Sequence, residues 1–159
     1  MQVDWQDATI GFERPRINLS EQAPALYRAM VVLDGCVELD SGLRDLVSLR
    51  ASILNGCAYC VDMHTLDAAA RGESQQRLHA VAAWHEAPFF TDRERAALQL
   101  TDAVTNVAQT RVPLEAYEVA RQHFAEEELA QLIWAIVVIN AWNRVAVTAR
   151  LQPGEYRPR

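Results

Sequence analysis

The sequence predicts an all-α protein, a single-domain bundle of about seven helices. Apolar residues recur at three- and four-residue intervals along most of the chain, and no segment alternates with period two over a convincing length. Helix-end signals stand where those runs start and stop, at Asn55-Gly56, Gly72 and Thr91-Asp92-Arg93-Glu94. The 159 residues are half hydrophobic and 23% charged, which suits one ordinary globular core.

Taken in order, residues 1–18 read as an irregular arm ahead of a helical domain at 19–159. Arg14-Pro15-Arg16 is extended, because the residue before a proline avoids the helical region. Trp5, Ile10 and Phe12 are apolar enough to be pinned onto something. A first helix is expected over about residues 23–39, with Ser20 and Pro24 near its start. Leu26, Met30, Leu33 and Val37 form its apolar stripe, and Cys36 belongs to the core. Asp40-Ser41-Gly42 is a short turn.

The second helix covers about 43–54, with Leu43, Leu46, Val47, Arg50 and Leu54 on one side. Asn55-Gly56 breaks it, since both residues accept the positive φ of a helix end. A third helix runs from near Cys57 to Arg71-Gly72 and a fourth over about 74–84, followed by a loop containing Pro88. The Thr91–Glu94 capping box opens a fifth helix through about 107, and Pro113 suits position N1 of a sixth, ending near 124. Trp84, Phe89 and Phe90 read as core, and His79, His85 and His123 as surface groups.

Glu126-Glu127-Glu128 places negative charge where the dipole of a last helix, to about 150, favours it. Within that helix the run Leu132 to Ile139 is apolar on every side and has to be covered, in a chain this small partly by a neighbouring subunit. A homo-oligomer is therefore expected. Asn140, Asn143 and Arg144 share one side and suit hydrogen bonding inside a packed interface.

Composition also excludes. A net charge of −6 argues against a general nucleic-acid binder. No apolar run is read as reaching membrane-spanning length, and residues 1–13 lack the apolar segment of a signal peptide. Three cysteines, an odd count, suit a reducing cytoplasm better than a disulfide framework.

The chemistry concentrates between Asp45 and His64. Cys57 and Cys60 fall in the first turn of a helix, where free N–H groups and the dipole favour thiolate. Positions 57, 60 and 64 share one helical face, so His64 is within a turn of Cys60 as a proton acceptor or donor. If the hairpin closes at Asn55-Gly56, Asp45 lies level with about residue 66 and can hold the imidazole in one tautomer. Ser52, on the Asp45 side, can hydrogen-bond in the site. Tyr59 and Met63 suit a pocket wall or an interface. The same Cys-x2-Cys-x3-His spacing could supply three zinc ligands, with Asp45 or Cys36 as a fourth, although no second Cys/His pair completes such a site.

Acid-x11-Cys-x2-Cys-x3-His, read here as Asp45, Cys57, Cys60 and His64, resembles the motif of the alkyl hydroperoxidase D proteins of the carboxymuconolactone decarboxylase-like superfamily. The stretches from Leu49 to Cys60, Ala83-Trp84, Phe90 to Leu98 and Ile139 to Arg144 resemble the same family, from about Leu26 to about Pro153. Two positions depart from its pattern. The family acid is usually Glu, and Tyr59 stands where some members carry His.

The resemblance implies a thiol-dependent peroxidase acting on an organic hydroperoxide or hydrogen peroxide, with no cofactor. Cys60 is then the peroxidatic thiolate, Cys57 the resolving thiol, and His64 oriented by Asp45 the proton relay, the cycle ending in a Cys57–Cys60 disulfide. A dithiol donor of lipoyl or thioredoxin type would reopen it. The family also contains lactone decarboxylases, whose chemistry does not need the thiol pair. A non-enzymatic redox sensor using the same disulfide is the remaining alternative.

Overall fold

The computed structural model of the protein describes residues 15–158, and every regular element among them is helical. The arm residues Trp5, Ile10, Phe12 and Arg14 lie outside the described residues. The elements are α1 (Leu19–Gln22), α2 (Pro24–Gly35), α3 (Ser41–Leu54), α4 (Ala58–Ala70), α5 (Gln75–Ala80) and a 3-10 turn (Val81–Ala83). They continue with α6 (Asp92–Thr105), α7 (Val107–Thr110), α8 (Leu114–His123) and α9 (Glu126–Ala149).

The expected count of about seven becomes nine among the described residues, because two short helices, α1 and α7, stand beside the predicted ones, α1 ahead of the helix expected from about residue 23 and α7 at the end of the one expected to about residue 107. Ala23 lies outside helical geometry (φ −137°, ψ 59°) and separates a four-residue α1, capped by Asn18, from α2. Asn106 likewise separates α6 from the short α7. Asp40-Ser41-Gly42 is not a free turn. Asp40 caps α3 through its side chain, which accepts the Leu43 N–H at 3.0 Å.

α3 is the central post. Nine of its fourteen residues are buried, and it packs against α4, α6 and α9. One core cluster joins Leu43 and Val47 to Leu100 of α6 and to Leu132 and Ile136 of α9. A second joins Leu46 and Leu49 to Leu78, Val81, Trp84, Phe90 and Leu98. Phe89, expected beside Phe90 in the core, is instead 37% exposed.

Two local signals survive intact. Thr91 accepts the Glu94 N–H while the Glu94 carboxylate accepts the Thr91 N–H, completing the capping box. The α3 and α4 ends are both Schellman motifs closed by a glycine in the left-handed region. Gly56 has φ 64°, with Cys57 N–H donating to Ser52 O, and Gly72 has φ 97°, with Glu73 N–H donating to Ala68 O.

α2 departs most from its expected role. None of its residues is buried, and Leu26 of the expected stripe is 73% exposed. Cys36, expected in the core, sits at the exposed C-cap of α2. α9 corrects a second expectation: by length and composition alone this helix could cross a membrane, where no run had been read as long enough. Half of that stretch is buried inside the protein against its neighbours, which is the position of a core helix. Its all-round apolar run is nevertheless incompletely covered, with Trp134 and Val137 exposed.

Candidate active site

The turn between α3 and α4 is fixed from behind by a buried polar network on α9. Asn55 donates to the side-chain oxygens of Asn140 (3.0 Å) and Asn143 (2.9 Å), and Asn143 donates to Ser52 Oγ at 3.0 Å. Asn140 also donates to Thr105 Oγ1 at 3.0 Å. Asn143 and Ser52 are almost fully buried, so each of these bonds replaces water that the groups have lost. This is the hydrogen bonding expected of Asn140 and Asn143, made within the chain rather than at a partner.

The turn delivers Cys57 to the N-cap of α4, with φ −86° and ψ 93°, where its Sγ accepts the Cys60 N–H at 3.3 Å. Sulfur thus occupies the place of a capping oxygen, in the field that favours thiolate. Cys57 and Cys60 are paired as a disulfide, their Cα atoms 5.3 Å apart, and each residue is 2% exposed. Cys36 is free. No group of three His, Cys, Asp or Glu residues among the described residues is placed to hold a metal ion, so the zinc alternative finds no ligand set there.

His64 lies one turn beyond Cys60, and the two line one cavity of about 250 Å³ together with Ser48, Arg44, Met63 and Trp142. His64 Nε2 is buried without a hydrogen-bond partner. Burial pushes the imidazole down from its usual 6.5 to about 4, Arg44 and Arg71 push the same way, and Asp67 pulls back. His64 is therefore neutral at pH 7. Cys57 lines a different cavity, about 330 Å³ and more open, with Gly56, Ala58, Val147, Gln152 and Pro153. Tyr59 lines both, and burial raises its phenol above the ordinary value, with help from Tyr27 and Asp62.

Asp45 is where expectation and structure part. Its buried carboxylate faces Arg71, not His64: Arg71 Nε donates to Oδ2 at 2.7 Å and Nη2 donates to Oδ1. The reason is register. Asp45 comes level with the C-cap of α4, two turns beyond His64, and a guanidinium there matches both carboxylate oxygens at once. The groups whose charges His64 feels are Asp67 on its own helix and Arg44 and Arg71, none of which stood out in the sequence. Arg71 could have been found, because it stands at the α4 end already marked by Gly72. Arg44 is held by Asp34 at 2.9 Å and by backbone oxygens, pairs that no local pattern announces.

An all-helical chain with a cysteine pair capping a helix and a buried imidazole one turn on defines a class of redox-capable thiol proteins. The carboxymuconolactone decarboxylase family pattern matches residues 23–103, and the chain belongs to that family. It is 38% identical to the uncharacterized protein YdfG of Bacillus subtilis (strain 168) over 135 residues, covering 83% of this chain and 92% of that protein. It also resembles the crystal structure of a protein of unknown function from Agrobacterium tumefaciens, ATU0492, for which an AhpD antioxidant-defence role has been suggested. That likeness has a TM-score of 0.87 and 40% identity, over 90% of this chain and 100% of the other. An uncharacterized peroxidase-related protein from Ralstonia eutropha JMP134 with an alkylhydroperoxidase AhpD core shares the fold at TM-score 0.75 and 22% identity, over 86% and 74% of the two chains.

Proposed function

We propose that this chain is a thiol-dependent peroxidase that reduces an organic hydroperoxide or hydrogen peroxide. The observation that carries the reading is that Cys60 and His64, whose Nε2 is buried without a hydrogen-bond partner, line one cavity while Cys57 is bonded to Cys60 from outside it. In the reduced protein the Cys60 thiolate attacks one peroxide oxygen. The O–O bond breaks, the electron pair leaves on the alkoxide or hydroxide, and Cys60 becomes a sulfenic acid. His64 carries the proton released by the Cys60 thiol to the leaving oxygen. Its depressed pKa makes it a weak base toward the thiol and a strong acid once charged, so the hand-off to the alkoxide runs downhill. Cys57 then attacks the sulfenic sulfur, water leaves, and the disulfide closes. A dithiol donor restores both thiols by exchange. Asp45 acts through Arg71, as a positioning residue, rather than by touching the imidazole.

Single-turnover peroxide consumption with mass-spectrometric trapping tests the roles. Cys60→Ser abolishes it. Cys57→Ser consumes about one equivalent and stops at a sulfenic acid on Cys60. His64→Ala slows the first step by roughly 10²–10⁴-fold, and Asp45→Asn by less. If Cys57→Ser loses the first turnover while Cys60→Ser keeps it, the roles are reversed.

The protein is further proposed to act in the cytoplasm as a homo-oligomer, a second copy covering the apolar residues that α2 and α9 leave open, Leu26, Val31, Val32, Trp134 and Val137. Light scattering at micromolar concentration checks this, and a stable monomer would contradict it.

A further inference from the structure

The cavity that reaches Cys57 is walled on one side by the chain's own C-terminal segment. After α9 the backbone turns at Arg150, which has φ 57°, and runs back along α4. Gly154, itself at φ 97°, donates its N–H to Asp62 Oδ2 at 2.8 Å, and the Tyr156 hydroxyl donates to Asp67 Oδ1 at 2.8 Å. The segment is thus fastened at two points to the helix that carries both cysteines. Between α9 and these fastenings, Gln152 and Pro153 face Cys57 across the 330 Å³ cavity. Leu151 also lines the Cys60–His64 cavity, so one stretch of chain borders both approaches to the pair. Residues 151–158 have no helical ladder of their own.

We propose that residues 152–156 form a strap that selects the reductant of the Cys57–Cys60 bond, admitting a slender thiol and excluding the thiol of a folded protein. The proposal rests on the reading that a reductant turns this pair over. The incoming thiolate bonds to Cys57 Sγ, and the S–S electron pair leaves on Cys60 as a thiolate at the helix N-terminus. The second donor thiol then displaces Cys57. The donor is oxidised to its disulfide by two electrons, and the protein gains two thiols. Cys57 is attacked because it borders the more open cavity, while Cys60 borders the more enclosed one. With Cys57 2% exposed, the attacking sulfur has to enter the cavity, and a sulfur fixed on a protein surface meets the strap first.

The test starts from the oxidised full chain, without peroxide, and follows free-thiol release with dithiothreitol or with reduced thioredoxin as donor. The variants are Tyr156→Phe, which removes the bond to Asp67, and Tyr156→Phe with Asp62→Ala, which also removes the bond from Gly154. In the double variant the thioredoxin rate is expected to rise roughly tenfold while the dithiothreitol rate changes by less than about twofold, because only access has altered. Tyr156→Phe alone gives a smaller shift in the same direction, so the proposal stays testable if the double variant folds poorly. Equal rates for both donors in every variant, or a parallel rise for both, would overturn the strap. No peroxide enters the assay, so a selective strap on a chain that consumes none would overturn only the peroxidase reading. Peroxide turnover with strap-insensitive exchange would overturn only the strap.

Discussion

Two of the arginine–carboxylate pairs that α3 carries, at Asp45 and at Arg50, are built in opposite ways. At Arg50 the buried member is the cation. Arg50 Nε and Nη2 donate to the two oxygens of Asp102 at 2.6 and 2.8 Å, and Nη1 donates to Ala82 O at 2.8 Å and Val81 O at 3.3 Å. Trp84 Nε1 adds a bond to Asp102 at 3.2 Å. At Asp45 the buried member is the anion, and its partner Arg71 has a side chain 47% exposed. The first pair ties α3, the 3-10 turn and α6 into one frame. The second ties α3 to the end of α4 and adds to the positive charge acting on His64. One is closed scaffolding; the other is open to solvent and coupled to the site.

Removing one partner of each separates the two most sharply. Asp102→Ala leaves the Arg50 guanidinium buried without its counter-charge and should cost about 3–5 kcal/mol in denaturant unfolding. A loss under about 1 kcal/mol would mean that Arg50 reaches water and the closed pair is not closed.

The site side shows itself in pH dependence. His64 has a folded pKa of about 4 against an ordinary 6.5, so between those values the unfolded chain binds the extra proton. The contribution of neutral His64 is complete above pH 6.5, declines as pH falls, and is lost below about 4. That amounts to about 3 kcal/mol across the window. The wild-type protein should therefore lose more stability than His64→Ala between pH 7 and pH 4 in urea titrations. Parallel losses would contradict the buried imidazole.

The smallest effect sharpens the comparison most. Arg71→Ala leaves the buried Asp45 carboxylate without its counter-charge but opens it to water through the half-exposed place the guanidinium vacates, so it should cost less than Asp102→Ala, about 1–2 kcal/mol. It should nevertheless move the His64 pKa up from about 4, because a cation pushing it down is gone. An NMR titration of the imidazole reads this directly, and an unmoved or lower pKa would show that the Asp45–Arg71 pair does not reach the site.

What was legible in the sequence follows the range of the forces involved. Gly56, Gly72 and the Thr91–Glu94 box act within a few residues and ended or began helices where their chemistry demanded. Helical spacing put Cys60 and His64 one turn apart, and they line one cavity, while Cys57, at the N-cap, borders another. The partner of Asp45 did not follow from spacing, because the register between two helices decides whether a carboxylate meets residue 64 or residue 71. Arg50 looked like one polar member of an apolar stripe until Asp102, 52 residues on, closed around it. Of the apolar stripe Leu26, Met30, Leu33 and Val37 only Val37 is buried, since periodicity says which residues share a face and not what lies against it. The C-terminal segment carries no pattern at all, and its place beside Cys57 depends on bonds to Asp62 and Asp67 some 90 positions earlier.

The asparagine network has a consequence for the order in which the protein comes into being. Asn55 and Ser52 are joined to Asn140 and Asn143 across 85 to 91 residues of intervening chain. Contacts of that separation close late, because the loop entropy is lost before the contact rewards it. The hairpin bearing both cysteines can form its local turn early, yet the post that fixes that turn arrives only with the last long helix. A chain still emerging from the ribosome, with α9 not yet made, carries two thiols at a helix start without the buried surroundings that later govern them. Completion of α9 and the segment after it is what packs Ala146 against the two cysteines and sets Gln152 and Pro153 across from Cys57.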